Sequence, residues 1–444
     1  MNTENLPREF VSRMTEMLKD EADSFFKALT ENEYVGIRVN TLKHGALDAV
    51  KAECGELEKV SWCENGYYTD KEVISGKNPC HMAGLVYFQE PSAMAAVSAL
   101  DIKSGDFVLD LCAAPGGKAT QAAEKLCGKG VLVANEVIEK RSKILVENIT
   151  RLGIKNAVVT NETPKRLAEK YPAFFDKIIV DAPCSGEGMF KKNPEAVREW
   201  SLEHTYSCAE RQKKILSDAA KMLKGGGRLV YSTCTFAPCE NEGVADWFLT
   251  EHPDFKLLNI NLSGLSDAKG GWANAKHDLS GAKRIFPHLA KGEGHFLALF
   301  EKSGDEKMEK MTQKPSPLEK IYRTFEEETL SIKLCGTVIA FGERLYLMPE
   351  GINADKIKTL LAGLYLGTVK KGRFEPSHAL CMALEKKDFK KTEEAASPYS
   401  YFHGETQATV LSGWTAITYN GYPLGWGKGA DGIMKNHFPK YLRF

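Results

Sequence analysis

Hydrophobic and polar residues follow two different periods along this chain, and the period changes near residue 81. Over residues 6–30, apolar side chains recur at helical spacing and predict an amphipathic helix: Phe10, Met14, Met17, Leu18, Phe25 and Leu29. In the next run, YVGIRVNTLK (34–43), alternate residues from Val35 to Val39 are apolar, which predicts a strand. Residues 1 to about 75 therefore predict a small α+β module.

From about residue 81 to residue 301, short apolar runs alternate with longer amphipathic ones. Five apolar runs predict strands: FVLDL (107–111), VLVANE (131–136), NAVVTN (156–161), KIIVDAP (177–183) and RLVYSTC (228–234). Helices are predicted after the first two strands and over residues 208–223. HFLALFEK (295–302) predicts a late strand in an antiparallel pair. This alternation is typical of an α/β fold in which helices cover both faces of a mostly parallel sheet.

The pattern changes again after residue 302. The polar run KSGDEKMEKMTQKPSP (302–317) contains two prolines and predicts a linker, with an exposed loop of the preceding domain as the alternative. The remaining residues begin with helix-like and strand-like pieces and end in short β-like segments rich in glycine and aromatic residues. The predicted domains are residues 1–80, 81–302, 318–395 and 396–444, with residues 303–317 as the linker.

Composition narrows the class of protein. Lys plus Arg and Asp plus Glu both number 59, which argues against a protein that coats nucleic acid non-specifically but allows a local basic patch. No run approaches the roughly 18 consecutive apolar residues of a membrane span, so no membrane partner is predicted. The 11 cysteines include no C-x-x-C pair, which disfavours a zinc site or a disulfide framework. A cytoplasmic protein with reduced thiols and no metal is expected.

A glycine-rich turn between the first predicted strand of the α/β region and its helix predicts a cofactor site. In the segment DLCAAPGGK, Asp110–Lys118, glycines let the backbone approach a ligand. A phosphate-binding loop is excluded because Cys112 replaces the required glycine and Ala119 follows Lys118. The dinucleotide pattern G-x-G-x-x-G is also absent. The class that remains is the methyltransferase turn, which wraps the cationic methionine part of S-adenosyl-L-methionine.

Polar residues at the ends of the next two strands support that cofactor. Glu136 ends the second strand, where a carboxylate can accept hydrogen bonds from both ribose hydroxyls. After the third strand, Asn161, Glu162 and Thr163 offer polar groups where an adenine edge would lie. Ligands of open α/β sheets bind at the carboxyl ends of strands, where all these residues stand.

Two cysteines follow the fourth and fifth predicted strands. Cys184 lies in DAPCSGEGMF (181–190) and Cys234 in YSTCTFAPCENE (231–242). A single cysteine is usually a buried apolar residue of the core. Because the fourth and fifth strands of a doubly wound sheet are neighbours, both thiols are expected in one crevice beside the methyl donor.

A thiol suits methyl transfer to C5 of cytosine, which is a weak carbon nucleophile. A thiolate that adds at C6 makes the ring an enamine, and C5 then attacks the methyl group. Asp181 is placed to offset the electron density that builds up near N3 and the exocyclic amine. An enzyme that methylates the amine itself would need an Asn/Asp-Pro-Pro-aromatic motif where this chain has DAPC. The spacing leaves the two thiols interchangeable.

Three segments resemble the signature motifs of RNA 5-methylcytosine methyltransferases: LDLCAAPGGKATQ (109–121), VDAPCSGEGMF (180–190) and YSTCTFAPCENE (231–242). IRVNTLK (37–43) and FQEPSAM (88–94) also look like this family. The tail GWTAITYNGYPLGWGK (413–428) is similar to the PUA-like RNA-binding end of its bacterial 16S ribosomal RNA branch. Across the whole chain, the resemblance implies a class I (Rossmann-like) α/β methyltransferase sheet, a small N-terminal α+β RNA-binding module and a C-terminal α+β and PUA-like β domain.

The resemblance also implies roles for single residues. Cys234 is the implied nucleophile, and Cys184 is implied to assist breakdown of the covalent adduct and RNA release. Lys118 is implied to reach toward the methionine end or the base. The cofactor site is implied to consist of Cys112, Ala113, Ala114, Pro115, Gly116, Gly117, Lys118, Glu136, Arg141, Asn161, Thr163 and Asp181. Many relatives have Asp where this chain has Thr163, so the adenine contact departs from the family pattern.

Basic and aromatic residues supply candidates for RNA contact. The candidates are Arg38, Lys191, Lys192, Trp426 and Lys428. Most aromatic residues of the tail are expected to form the core of a small β domain, and GWGK (425–428) is kept as a surface hypothesis. Lys191 and Lys192 are expected to meet the RNA backbone near the flipped base.

The predicted function is therefore methyl transfer to C5 of cytosine in RNA, with 16S ribosomal RNA or the small ribosomal subunit as partner. The protein is expected to act as a monomer. Two alternatives remain: the same chemistry on transfer RNA, and a non-catalytic RNA-binding or ribosome-assembly factor that retains the fold.

Overall fold

The computed structural model describes residues 5–31, 33–70 and 73–444. Its N-terminal elements are α1 (Arg8–Leu18), α2 (Ala22–Ala28), β1 (Val35–Val39), α3 (Ala46–Cys54), β2 (Gly66–Thr69), α4 (Pro79–Met82) and β3 (Val86–Phe88). The helix predicted over residues 6–30 is two helices, because Lys19 has a φ of 50° and interrupts the helical hydrogen bonds. The three strands form an antiparallel sheet in the order β2-β1-β3.

The central region alternates strands and helices as the sequence predicts. Its elements are α5 (Ala95–Ala99), β4 (Phe107–Asp110), α6 (Gly117–Leu126), β5 (Val131–Asn135), α7 (Glu139–Arg151), β6 (Ala157–Thr160), α8 (Pro164–Lys170), β7 (Phe175–Asp181), α9 (Pro194–Glu199), α10 (Leu202–Met222), β8 (Leu223–Thr233), α11 (Glu242–Glu251), β9 (Phe255–Leu258), β10 (Ser266–Asp267), β11 (Lys283–Ile285) and β12 (His295–Lys302). Helix α10 begins six residues earlier than predicted because the Ser201 side chain caps it, accepting a hydrogen bond from the backbone N–H of His204.

One large sheet organises this region. Its order is β10-β11-β12-β8-β7-β4-β5-β6-β15, and β9 pairs with β12 beside this path. The neighbours from β8 to β6 run parallel, whereas β12 pairs antiparallel with β8. The predicted α/β fold with a mostly parallel centre and a late antiparallel strand is confirmed. The carboxyl ends of β4, β5, β7 and β8 therefore meet at one edge.

The C-terminal region adds two smaller sheets. Its elements are α12 (Glu319–Thr329), β13 (Thr337–Phe341), β14 (Arg344–Met348), β15 (Thr359–Ala362), β16 (Leu364–Lys370), β17 (Arg373–Pro376), α13 (His378–Met382), β18 (Thr392–Glu394), α14 (Pro398–His403), β19 (Gln407–Ala408), β20 (Gly413–Tyr419), β21 (Tyr422–Ala430) and β22 (Ile433–Asn436). The sheets have the orders β13-β14-β16-β17 and β18-β20-β21-β22-β19.

Two features tie this region to the central sheet more closely than the sequence indicates. Strand β15 pairs antiparallel with β6 and extends the large sheet. Within residues 303–317, which the sequence predicts as a linker, the backbone N–H of Met308 donates to Ala173 (2.7 Å) and that of Met311 to Gly351 (2.9 Å). This segment therefore lies against the folded chain.

The two ends of the chain share a hydrophobic cluster. Ile37 and Val39 of β1 belong to the same buried cluster as Phe402, Leu424 and Phe438 of the C-terminal β region. Removing the C-terminal β region would expose that apolar surface, so surface substitutions test its role more cleanly than a truncation.

The N-terminal helices pack against the loops that carry the two cysteines. The rings of Phe10 and Phe190 meet edge to face with centroids 5.1 Å apart, and Phe25 meets Phe236 at the same distance. These four side chains are buried in one cluster. Aromatic pairs of this kind hold both loops in place.

In the described ranges, no helix combines the length and the apolar character that crossing a membrane requires.

Candidate active site

The structure brings Cys184 and Cys234 together at the carboxyl ends of β7 and β8. These strands are parallel neighbours, and their register runs to the pair Asp181 and Ser232. The two Sγ atoms lie 3.4 Å apart, and both residues are half-buried. The strand order therefore creates one dithiol site from cysteines that are 50 positions apart in the chain.

The environment of Cys184 favours its protonated form. The contact with Cys234, together with burial, raises the pKa of the Cys184 thiol well above its usual range. Cys184 is therefore a neutral thiol at neutral pH and can donate its S–H to the sulfur of Cys234. Because the thiolate and not the thiol is the nucleophile, a protonated Cys184 acts as a hydrogen-bond donor and not as an attacking group.

A network of buried polar groups contacts the loop that carries Cys184. The backbone N–H of Ser185 donates to Glu240 (3.0 Å), and the side chain of Gln212 donates to the same carboxylate oxygen (2.8 Å). Tyr231 donates to the amide oxygen of Gln212 (2.9 Å). Burial raises the pKa of the Glu240 carboxyl to about 7, although the hydrogen bonds from Ser185 and Gln212 lower that pKa. The network orients the backbone that carries Cys184.

The two cysteine loops cross in close contact. The backbone N–H of Gly188 donates to the carbonyl of Cys234 (2.8 Å), and a Cβ at Gly188 would lie 2.7 Å from that oxygen. The buried Glu187 carboxylate accepts hydrogen bonds from Trp200 (2.8 Å) and from the backbone N–H of Phe236 (3.0 Å). Glycine at position 188 is required because a side chain would push the loops apart.

Asp181 lies beside the thiols and has three polar neighbours. Its carboxylate pairs with Lys118 at 2.8 Å and accepts a hydrogen bond from Ser232 at 2.9 Å, and the Nε2 atom of His295 lies 3.6 Å away. Burial alone would raise the pKa of Asp181, but Lys118 and His295 outweigh burial and hold the pKa well below its usual range. Asp181 is therefore ionised and can accept hydrogen bonds from a ligand.

The sequence reasoning did not identify His295. The residue begins strand β12 and is 4% exposed. The one available signal was a polar residue at the start of the apolar run HFLALF, which by itself is a weak signal. Its proximity to Asp181 depends on the antiparallel pairing of β12 with β8.

The glycine-rich turn has the form that a cofactor site needs. The turn follows β4, Gly116 has a φ of +123°, and helix α6 begins at Gly117. Ala113 is held against β5 by a hydrogen bond from its backbone N–H to the carbonyl of Asn135 (2.8 Å). Burial raises the pKa of the Cys112 thiol well above its usual range, so Cys112 is a neutral lining residue.

Asp110, the last residue of β4, precedes this turn and is a buried carboxyl group. The residue is fully buried, and neither carboxylate oxygen makes a hydrogen bond of normal geometry with the described parts of the chain. Burial, and then the charge of Asp181, raise the pKa of the Asp110 carboxyl to about 8. A buried, unpaired carboxyl of this kind fits a ligand that brings a positive charge, such as an amino group.

Glu136 lies at the end of β5 and is 3% exposed. One oxygen accepts a hydrogen bond from the backbone N–H of Ile138 (2.9 Å), and the other pairs with Arg141 (3.2 Å). Arg141 also donates to the carbonyl of Ala114 in the glycine-rich turn (2.7 Å). Arg141 therefore links the Glu136 carboxylate to the glycine-rich turn. Glu136, Arg141 and Ala114, which the sequence predicts as cofactor residues, form one connected group.

The residues predicted near the adenine have other partners. The side-chain amide of Asn161 donates to the carbonyls of Glu136 (2.7 Å) and Val137 (2.9 Å). The Thr163 hydroxyl caps helix α8 by accepting a hydrogen bond from the backbone N–H of Arg166 (3.3 Å). Their contact with an adenine stays a prediction.

Two of the side chains that the sequence predicts as RNA contacts are buried in the structure. Arg38 is 0% exposed and donates to Glu124 (2.8 Å) and to the carbonyl of Gly117 (2.8 Å). It therefore fastens the N-terminal module to helix α6. Trp426 is 2% exposed and donates to the carbonyl of Ser377 (2.8 Å), so it belongs to the core.

The three lysines among the candidates differ in exposure: the side chain of Lys191 is 7% exposed, that of Lys192 is 23% exposed, and Lys428 is exposed. Lys191 and Lys192 lie 3.8 and 3.4 Å from the buried carboxylate of Glu293, so part of their charge is already balanced. Lys428 is exposed, and its Nζ atom lies 5.0 Å from the ring centre of Trp414. Lys428 therefore keeps the character of a surface contact, with an aromatic ring beside it.

Comparison with known families covers nearly the whole chain. The family described as 16S rRNA methyltransferase RsmB/F matches residues 97–301, and the N-terminal domain of 16S rRNA methyltransferase RsmF matches residues 6–91. The first C-terminal domain of the RsmF rRNA methyltransferase matches residues 324–384, and the methyltransferase RsmF PUA domain matches residues 393–444.

Individual relatives agree with these matches. The ribosomal RNA small subunit methyltransferase F of Escherichia coli strain K12 is 30% identical, with 99% of this chain and 97% of the relative aligned. Its namesake in Shewanella piezotolerans is 32% identical over 91% of this chain and 90% of the relative. A solved structure of a methyltransferase homologue from Pyrococcus horikoshii is 30% identical, has a TM-score of 0.60 and covers 68% of this chain and 100% of its own. The chain thus belongs to the RsmB/F family of 16S rRNA methyltransferases, and the predicted resemblance is confirmed.

Proposed function

We propose that this protein transfers a methyl group from S-adenosyl-L-methionine to C5 of cytosine in 16S ribosomal RNA through a covalent bond between Cys234 and C6. The observation that carries this proposal is the pair of thiols 3.4 Å apart, with Cys184 held neutral. Ribosomal RNA is the proposed partner. The protein is proposed to act as a monomer in the cytoplasm, where its 11 cysteines stay reduced.

The residues around the glycine-rich turn fit the cofactor. Asp110 offers a buried carboxyl to the amino group of the methionine part, and Glu136 offers a carboxylate to the ribose hydroxyls. When bound, the cofactor supplies an electrophilic methyl group on a sulfonium sulfur. The residues Cys112–Lys118 would lie against its methionine end.

Cys234 begins the proposed reaction as a thiolate. Its sulfur forms a bond to C6, and the electrons of the C5–C6 double bond move to C5. C5 is then nucleophilic toward the methyl group that the bound cofactor would supply, and the cofactor's sulfur would leave with the electrons of the S–CH3 bond. A base then takes the proton from C5, and the electrons of that C–H bond restore the double bond and expel the sulfur of Cys234. Asp181, ionised and held by Lys118 at 2.8 Å, accepts a hydrogen bond from the N4 amino group of the base and orients the ring for addition at C6.

Cys184 has the complementary task in this proposal. A neutral thiol 3.4 Å from the sulfur of Cys234 can donate a hydrogen bond to the departing thiolate. That interaction strengthens as charge returns to the sulfur, so it favours breakdown of the adduct over its persistence. The raised pKa of Cys184 keeps the required proton in place at neutral pH.

The test is a map of 5-methylcytosine in ribosomal and transfer RNA from cells with and without this protein. We expect the loss of methylation at one or more cytosines of 16S ribosomal RNA, and purified protein with the cofactor should restore it. Loss in transfer RNA alone would identify the alternative substrate. If no cytosine changes while subunit assembly is impaired, the protein is a non-catalytic assembly factor.

Glu136 provides a test of the cofactor site. We expect Glu136→Ala to weaken cofactor affinity by about 10- to 100-fold, since a hydrogen bond to a charged group contributes roughly 1.5–3 kcal/mol. Titration calorimetry with S-adenosylhomocysteine measures the change. Glu139→Ala is the matched control, because Glu139 lies three residues later on an exposed surface. Equal affinities for the two variants would place the cofactor elsewhere.

Lys428 provides a test of RNA binding by the C-terminal β region. We expect Lys428→Glu to lower the affinity for 16S ribosomal RNA severalfold. The slope of log K against log salt concentration should also fall by the amount that corresponds to about one phosphate contact. Filter binding at several salt concentrations gives both quantities. Lys256→Glu, at an exposed position of β9, is the control. An unchanged salt dependence in Lys428→Glu would contradict a phosphate contact.

A further inference from the structure

His295 is a buried polar side chain at the start of strand β12. It is 4% exposed, and neither ring nitrogen makes a hydrogen bond of normal geometry with residues 5–31, 33–70 or 73–444. Its nearest charged neighbour, Asp181, is 3.6 Å from Nε2, which is too long for a hydrogen bond. Burying an imidazole without hydrogen bonds is costly, so a ligand that accepts from the ring N–H would be bound favourably here.

The surrounding backbone holds the imidazole firmly. Gly294, the preceding residue, has a φ of +118°, and a Cβ there would lie 2.4 Å from the ring of Phe236 in the Cys234 loop. On the other side, strand β12 continues from His295 with Phe296 opposite Thr233 of β8. The side chain is thus fixed at the rim of the dithiol site and does not come from a free loop.

The order of strands in the large sheet separates His295 from the predicted cofactor residues. The sheet runs β12-β8-β7-β4-β5, so His295 lies on the far side of Cys234 and Asp181 from the glycine-rich turn after β4. The cofactor residues Cys112–Lys118 and Glu136 follow β4 and β5. The missing partner of His295 is therefore the group that meets the thiols, which is the target base.

We propose that His295 is a further catalytic residue, whose ring N–H donates a hydrogen bond to the O2 carbonyl of the target cytosine. This inference rests on the proposed function. When Asp181 accepts a hydrogen bond from the N4 amino group, the same edge of the ring continues through N3 to O2, on the side where His295 lies. Addition of the Cys234 thiolate at C6 moves electron density onto N3 and O2, so the hydrogen bond strengthens as the adduct forms.

The experiment measures single-turnover adduct formation with an RNA fragment that contains the mapped cytosine, or 2-thiocytidine in its place. Sulfur is a weaker acceptor than oxygen, so wild type should react about tenfold more slowly with the 2-thio fragment. His295→Phe should react about 100-fold more slowly than wild type with cytosine and show no further loss with 2-thiocytidine. His295→Asn keeps an N–H donor, and it should be faster than His295→Phe and retain sensitivity to sulfur.

Two controls separate the possible explanations. His252→Gln replaces another histidine with an unpartnered Nε2, at the distal end of helix α11, and should react at the wild-type rate. Cofactor affinity of His295→Phe should match wild type. If sulfur slows His295→Phe and wild type equally, or if His295→Phe reacts at the wild-type rate, His295 does not contact O2. If wild type itself forms no adduct, the proposed function fails first.

Discussion

Cys234→Ala is expected to abolish methyl transfer, with a loss of at least about 10⁴-fold, because removal of a covalent nucleophile leaves only binding and electrostatic effects. No covalent complex between protein and RNA should form. Cys184 lies 3.4 Å from Cys234, but in the proposed reaction it donates a hydrogen bond to the departing sulfur and forms no bond to C6, so we expect no rescue by Cys184. Transfer of radiolabelled methyl to 16S ribosomal RNA measures the loss, and denaturing gels report the adduct.

The matched control is Cys239→Ala. Cys239 is half-buried five residues further along the same loop, and its thiol donates to Thr205 (3.4 Å), away from Cys184. This variant should retain methyl transfer within about twofold of wild type, an allowance typical of a substitution outside the reacting groups. Full activity of Cys234→Ala would rule out Cys234 as the nucleophile.

Cys184→Ala is expected to give the opposite defect. Cys234 can still add to C6, but the departing sulfur lacks the thiol that stabilises it, so the adduct should accumulate as a complex that resists denaturation. Turnover should fall by about 100-fold or more, the usual effect of removing a positioned proton donor. Quantifying the complex over time, with and without cofactor, measures the trapped fraction.

Cys184→Ser refines this experiment because the hydroxyl keeps a donor at the same position. It should trap less adduct than Cys184→Ala and recover part of the turnover. Accumulation of adduct in Cys234→Ala, with none in Cys184→Ala, would reverse the roles of the two thiols. Equal loss without adduct in both variants would mean that neither thiol forms a bond to the base.

Local sequence predicted the part of the site that lies at strand ends. Cys184 and Cys234 each follow an apolar strand, and parallel strands place their carboxyl ends at one edge. Glu136 could be predicted for the same reason. Hydrophobic periodicity reveals the strands that carry these residues, and their alternation with helices predicts that they run parallel.

Side-chain burial could not be predicted in the same way. Arg38 and Trp426 stand in polar or mixed surroundings in the sequence, but the structure buries both. Arg38 reaches Glu124, 86 positions away, and Trp426 reaches the carbonyl of Ser377. A basic residue that bridges two elements and one that faces solvent look alike in a sequence, because the partner is distant along the chain.

The sequence by itself determined the α/β class, the glycine-rich turn after β4 and the positions of the two cysteines at strand ends, because each depends on residues that are close along the chain or on a regular repeat. Only the tertiary structure brought the two thiols to 3.4 Å and set His295 beside Asp181. It also added β15 to the central sheet. These features depend on pairing between distant strands, and the raised pKa of Cys184 depends on the burial and the neighbouring sulfur that this pairing creates.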